Sequence, residues 1–181
     1  MHPTPLAIIA TLTILPAACS PGGEPPADPY GIEGATVSIE GGAALGDALN
    51  ATDSISVLVS EDGSHVTLEG EPADRRSGGR TSGAFMRLGS ETEQAFSGQQ
   101  IEVTLVVRGA DATLDATYST NDVGNSGWRS LSAGETFAAR RFTYDVPQLD
   151  RGREDFLGLI PVGGAVDVSA IAIRVVDDEM E

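Results

Sequence analysis

Two stretches of the 181-residue chain concentrate side chains able to do chemistry. The first is residues 119–129, STNDVGNSGWR. Asn121, Asp122, Asn125 and Ser126 can donate to and accept from hydroxyl groups, and Trp128 offers a flat apolar face to the C–H side of a sugar ring. The same oxygens suit calcium, although their spacing is not that of an EF-hand loop. A structural explanation stands beside the chemical one: Asn, Asp and Gly are what a long hairpin turn requires, and a lone Trp commonly anchors a core. The second stretch is residues 74–80, DRRSGGR, where Arg75, Arg76 and Arg80 share one Gly-rich loop in an otherwise acidic chain. Guanidinium forks pair carboxylates or sulfates bidentately, so an anionic polysaccharide such as a uronate would suit them. The alternative is pairing with the chain's own surplus acids.

The remaining chemistry is thin. Of the two histidines, His2 lies in the N-terminal leader, so a zinc site or a Ser-His-Asp triad would have to use His65. His65 alternates outward on a predicted strand and reads as a solvent-facing residue rather than a base. Arg140 and Arg141 follow a change of strand phase, which points one guanidinium inward or along a concave face. No Gly loop has the Lys and following helix of a phosphate cradle. The chain holds 27 acidic residues against 11 basic ones, all of them Arg, for a net charge of −16. Such a field repels phosphate backbones, which excludes nucleic acid as a partner. No pair among the many carboxylates stands out for glycoside hydrolysis, so the chain reads as non-catalytic.

These residues are positioned by strands. Val37 and Ile39, then Ile55, Val57 and Val59, then Val66 and Leu68, alternate with polar residues. So do Ala84, Met86 and Leu88, then Ile101, Val103, Leu105 and Val107, then Leu114, Ala116 and Tyr118. Period-two alternation is the pattern of half-buried strands. Phase changes between Phe137 and Phe142, and between Val168 and Ile171, call for a β-bulge in each strand. Residues 156–160, FLGLI, are apolar on both parities and predict a central, doubly covered strand. Asp62-Gly63 predicts a hairpin turn, and Gly163-Gly164 a second turn. One short helix is expected over residues 43–50. The fold class is therefore all-β, an antiparallel β-sandwich (jelly roll) of about nine strands with little helix. It spans residues 36–176, with an acidic tail at 177–181.

The N-terminus has a different character. Residues 6–15 form an apolar run too short to cross a bilayer, which takes about 20 residues, but suited to a signal-peptide core. It ends at Pro16-Ala17-Ala18-Cys19, which resembles the lipobox of bacterial lipoproteins. Pro16 departs from that pattern, and the n-region carries no Lys or Arg. The resemblance implies cleavage of residues 1–18 and acylation of Cys19, with the membrane reached through the lipid anchor only. The competing outcome is a plain secretory leader that leaves Cys19 as a free thiol. Ser20 in place of the Asp that retains enteric lipoproteins at the inner membrane points to the outer membrane. Residues 20–35 are rich in Pro, Gly and acids and are expected to form a flexible tether, about 50 Å long at full extension.

The C-terminal half carries a second resemblance. QIEVTLVVRG, ATLDATYSTNDVGNSGW, FTYDVPQL, DFLGLIP and VDVSAIAIRVV follow one another over residues 83–176. That order resembles galactose-binding-like jelly rolls of the carbohydrate-binding-module type. The resemblance implies saccharide binding through a loop cluster or a concave sheet face, and a structural calcium ion in many members. Three functions stay open on these residues: an envelope-anchored module for poly- or oligosaccharide, a structural lipoprotein with an envelope protein partner and no small ligand, and a hydrolase.

Overall fold

A computed structural model describes residues 28–52, 54–71, 83–120, 123–148 and 154–176. In chain order the elements are β1 (Val37–Glu40), α1 (Gly42–Ala48), β2 (Leu49–Ala51), β3 (Ile55–Val59), β4 (Val66–Gly70), β5 (Ala84–Arg87) and α2 (Ser90–Phe96). They continue with β6 (Gln100–Arg108), β7 (Thr113–Ser119), β8 (Arg129–Ser132), β9 (Ala138–Asp145), β10 (Phe156–Val162) and β11 (Val166–Val175). All the strand pairings are antiparallel.

The strands form two sheets. A six-stranded sheet runs β3-β4-β11-β6-β9, with β1 also paired to β11, and a five-stranded sheet runs β2-β5-β10-β7-β8. The alternating residues of the sequence become the space between them. Ile101, Val103, Leu105 and Val107 of β6 meet Leu114, Ala116 and Tyr118 of β7 and Leu157 and Leu159 of β10 in one buried cluster. Strands apolar on one parity can satisfy two facing sheets only in this way. The protein is the expected all-β sandwich.

Strand β11 carries the expected bulge. Its register shifts between Val168 and Ala170, so Val166 and Val168 before it, and Ile171 and Ile173 after it, all face the core. The bulge also divides the strand's other edge, where β4 pairs residues 166–168 and β1 pairs residues 170–173. At the join, Gly41 N donates to the carbonyl of Ser169 at 3.0 Å.

The second expected bulge is not there. β9 pairs β6 without a shift from Gln100↔Asp145 to Val107↔Ala138. Phe137 keeps the odd parity of Arg141 and packs, like it, on the outer side of the six-stranded sheet, so the alternation is unbroken and no bulge is required. The expected helix over 43–50 ends at Ala48, and Asn50 belongs to β2. Helix α2 had no strong signal: it is a single pair of turns whose buried positions are Glu93 and Phe96. FLGLI lies in β10, the central strand of its sheet, and is buried on both faces as expected. The Asp62-Gly63 hairpin joins β3 to β4, with Gly63 at φ 70° and the Asp62 carboxylate accepting from Ser60 Oγ, Ser64 N and Ser64 Oγ.

Candidate functional site

A sandwich offers a ligand two outer faces and two ends, and the outward parity of each strand stocks the faces. On the six-stranded sheet that stock is tied up internally. Arg108 Nε donates to Asp167 Oδ2 at 2.9 Å, and Thr67 Oγ1 donates to Asp167 Oδ1 at 2.7 Å. Burial pushes the Asp167 carboxyl up, but these donors and the nearby His65 outweigh it and hold it below its ordinary value. The Arg108 guanidinium lies over the Phe137 ring, and His65 meets the same ring edge-on at 5.6 Å. Farther along, Glu102 pairs with Arg174 at 2.7 Å and with Arg141 at 3.7 Å.

A strap completes the cover. Residues 28–35, which the composition assigns to the tether, lie against this face. Ile32 is 5% exposed and packs with Val106, Ala170 and Ala172, flanked by Tyr30, Ala35 and Phe137. Arg141 Nη2 donates to the Tyr30 carbonyl. The Asp28 carboxylate accepts from Tyr30 N at 3.1 Å and from Glu33 N at 2.6 Å, which lowers its pKa although burial opposes them.

The outward side of the five-stranded sheet has another composition. Strand pairing sets its outward residues in rows. One row runs Asn50, Phe85, Gly158, Thr117; the next runs Arg87, Phe156, Ser119, Asn125; a third runs Ile160, Asp115, Ser130. Phe85 and Phe156 meet edge-to-face at 6.0 Å, and the Arg87 guanidinium lies 5.8 Å from the Phe156 centroid. Ser130 Oγ donates to Asp115 Oδ1 at 2.6 Å, and Thr117 Oγ1 lies 3.4 Å from Ser126 Oγ. Asp115, Thr117 and Ser119 are buried although they point away from the inter-sheet core. The exposed Asn50, Arg87, Asn125 and Ser130 beside half-buried Phe85 can recognise a polyol at the rim of this sheet by hydrogen bonding and ring contact together.

Of the polar residues and Trp singled out in the 119–129 loop, Asn125, Ser126 and Trp128 are described, and Ser126 Oγ accepts from Tyr118 N at 3.0 Å and donates to the Gly127 carbonyl at 2.9 Å. Asn125 sits at the end of the Arg87–Phe156–Ser119 row, bridged to Ser119, and its Oδ1 accepts from Gly127 N at 2.9 Å. Its amide oxygen therefore serves the turn. Trp128 is half-buried and is engaged within the domain. Cys19, Arg75, Arg76, Arg80, Asn121 and Asp122 lie outside the described residues. Arg140 points to the inter-sheet side of β9, where its Nε donates to the Ser132 carbonyl at 2.6 Å, while Arg141 takes the outer side.

No family model matches the chain, and no curated protein matches it in sequence. Solved structures do. The xylan-binding CBM22-1 domain of Paenibacillus barcinonensis Xyn10C superposes with a TM-score of 0.52 at 14% identity, covering 78% of this chain and 94% of that one. The C-terminal family 22 carbohydrate-binding module of Clostridium thermocellum Xyn10B superposes with a TM-score of 0.52 at 13% identity, covering 82% of this chain and 97% of that one. The chain shares the fold of carbohydrate-binding modules.

Two chemistries can be weighed on this fold. Ser64 Oγ lies 2.8 Å from His65 Nδ1, and His65 Nε2 lies 3.6 Å from Asp167 Oδ1, a Ser-His-Asp sequence of contacts. However, the N–H groups of Gly63, Ser64 and His65 are all spent on Ser60 and Asp62 inside the turn. These three amides leave no donor for an oxyanion, which an acyl-transfer site requires. His65 is also not solvent-facing as expected: its side chain is 14% exposed, because Phe137 covers it. For calcium, no group of three or more acidic, His or Cys side chains converges among the described residues, and Asn121 and Asp122, two of the residues expected to offer oxygens, lie outside them.

The outward rows of the five-stranded sheet were not singled out in the sequence. Asp115 and Thr117 are visible there only as the polar half of an alternating strand. Nothing local shows that Arg87, Phe156 and Ser119 share a line, since they come from three strands.

Proposed function

We propose that this chain is a non-catalytic binding module for poly- or oligosaccharide, and that it binds through the outward side of the five-stranded sheet. One observation carries this: the two outer faces differ. The outer face of the six-stranded sheet is covered by the strap at Ile32, whereas the other sets exposed Asn50, Arg87 and Ser130 as a polar rim around half-buried Phe85 and buried Phe156, with Arg87 shared with Glu154. The shared fold supports the reading. One neighbour is a xylan-binding domain, and the other is described by the role of its cleft in ligand binding. Displayed on a lipid anchor at Cys19, the module would hold glycan at the cell envelope, on the outer membrane.

Affinity electrophoresis and calorimetry of the full chain against xylan, xylohexaose, cello-oligosaccharides and a polyuronate test the proposal. We expect binding to at least one of them and a loss of at least tenfold in affinity in Arg87→Ala and Asn50→Ala, both exposed positions, with folding retained. A folded chain that binds none of these glycans, with or without calcium, refutes it. Binding left unchanged by both variants would move the site elsewhere.

A further inference from the structure

At one end of the sandwich two carboxylates are shut away from water together. Glu154 takes a left-handed backbone conformation (φ 69°) and keeps its own side chain outside, 3.1 Å from Arg87 Nη2. The next residue, Asp155, turns inward and is 0% exposed. Its carbonyl accepts from Leu88 N at 2.8 Å, and its N–H donates to Glu93 Oε1 at 2.7 Å. Its Oδ2 accepts from the Tyr118 hydroxyl at 2.6 Å. Its Oδ1 is buried with no hydrogen-bond partner. One residue thus joins the end of β5, helix α2, β7 and the start of β10.

The titratable groups that face it among the described residues are Glu93 from α2, Tyr118 from β7 and, behind Tyr118 at 5.8 Å between ring centroids, Tyr144 from β9. β5 presents the Leu88 amide, and Arg87 is turned to Glu154. No described cation pairs with Asp155 or Glu93, so two ionised carboxylates here would repel each other in a poorly solvated space. An ionised oxygen without a donor makes that costly, and a proton on Asp155 removes the conflict.

We propose that Asp155 is a proton-operated latch, which holds β5, α2, β7 and β10 together when protonated and loosens this end of the sandwich when it ionises. Burial raises the Asp155 carboxyl to about 6, assisted by the Glu93 charge and opposed by the Tyr118 hydroxyl. The sign follows from linkage. The folded chain keeps this proton to a higher pH than the unfolded chain, whose carboxyl has the ordinary value of 3.8. The contribution to stability is therefore complete below about pH 4, declines as pH rises to about 6, and is constant above that. Over that window the folded-to-unfolded ratio falls about a hundredfold from this group. Asp155 directly precedes Phe156, so the latch adjoins the row Arg87–Phe156–Ser119. Any effect on glycan affinity rests on the function proposed above; the latch itself does not.

The test is hydrogen exchange and thermal unfolding of the full chain from pH 4 to 8, with Asp155→Asn alongside. We expect protection of the Leu88 and Asp155 amides, corrected for intrinsic exchange, to rise at least tenfold from pH 7.5 to pH 5 in the wild type. Self-repulsion of the acidic chain acts on both proteins, so the difference between their pH profiles isolates Asp155. Asn should remove most of the slope between pH 4 and 6. Parallel profiles for the two proteins overturn the proposal. If Asp155→Asn does not fold, carboxyl-carbon NMR of the wild type decides: a midpoint near 6 supports the latch, and one at 4 or below overturns it. These readouts use no glycan, so the latch and the binding function can fail separately.

Discussion

The guanidinium of Arg108 lies 4.4 Å from the ring centroid of Phe137 while its Nε holds Asp167. Phe137 comes from just before β9, Arg108 from β6 and Asp167 from β11, so this stack clamps three neighbouring strands on their outer side. Replacing Phe137 with Ala removes the ring contacts to both Arg108 and His65. We expect a loss of about 2 kcal/mol, of which the cation–π contact supplies about 0.5–1. Urea unfolding checks it, with glycan binding unchanged because the clamp lies on the opposite face from the proposed site.

The Asp167 carboxyl is held below its ordinary value of 3.8. Its contribution to stability is therefore present above about pH 4 and is lost as pH falls through the lowered folded-state value. Asp167→Asn should lower stability at pH 7 and flatten the acid limb below pH 4. A pH series of unfolding midpoints for the two proteins measures this. An acid limb unchanged in the variant would show that Asp167 carries none of it.

The strap gives a third expectation. Putting a charge at Ile32 by Ile32→Asp removes the burial against Val106, Ala170 and Ala172, worth about 1.5–3 kcal/mol for a fully buried Ile. We expect residues 28–35 to become sensitive to limited proteolysis while the sandwich stays folded. Global unfolding, or unchanged resistance to protease, would count against a separately docked strap.

Deleting Ser169 tests the bulge. The deletion puts Val166, Val168, Ile171 and Ile173 on one parity of a regular strand, all still facing the core and in register with β6. It removes the bulge and the Ser169 carbonyl that accepts from Gly41 N where β4 gives way to β1. We expect the variant to fold with a loss of about 1–3 kcal/mol, as read by circular dichroism and urea unfolding. Failure to fold would mean that the bulge itself is needed to seat β4 and β1 along one edge.

Much of the fold was legible in the residues. Alternating apolar positions marked β3, β4, β5, β6 and β7, and the parity break between Val168 and Ile171 located the bulge at Ser169. The apparent break at Phe137 misled, because an aromatic residue was assigned to the inter-sheet core, whereas Phe137 follows the regular pleat to the outer face and is covered there by Arg108 and the strap. Helix α2 was missed because a two-turn helix with two inward residues shows no period. The site was less legible than the fold. Asn125 and Trp128 stood out by type, yet the Asn125 oxygen closes its own turn. Asp155, buried beside Glu93 and Tyr118, looked like one acid among many.

The order of residues along the chain was enough for most of the strands, the sandwich class and the acidic character, because side-chain period and composition are local properties. Which side chains share an outer face was decided only by the assembled sheets. Ile32 reaches Val106 and Ala170, and Arg87 lines up with Phe156 and Ser119, across strands far apart in the chain. Registers between distant strands follow from the packing of the whole core, and no short stretch of residues encodes them.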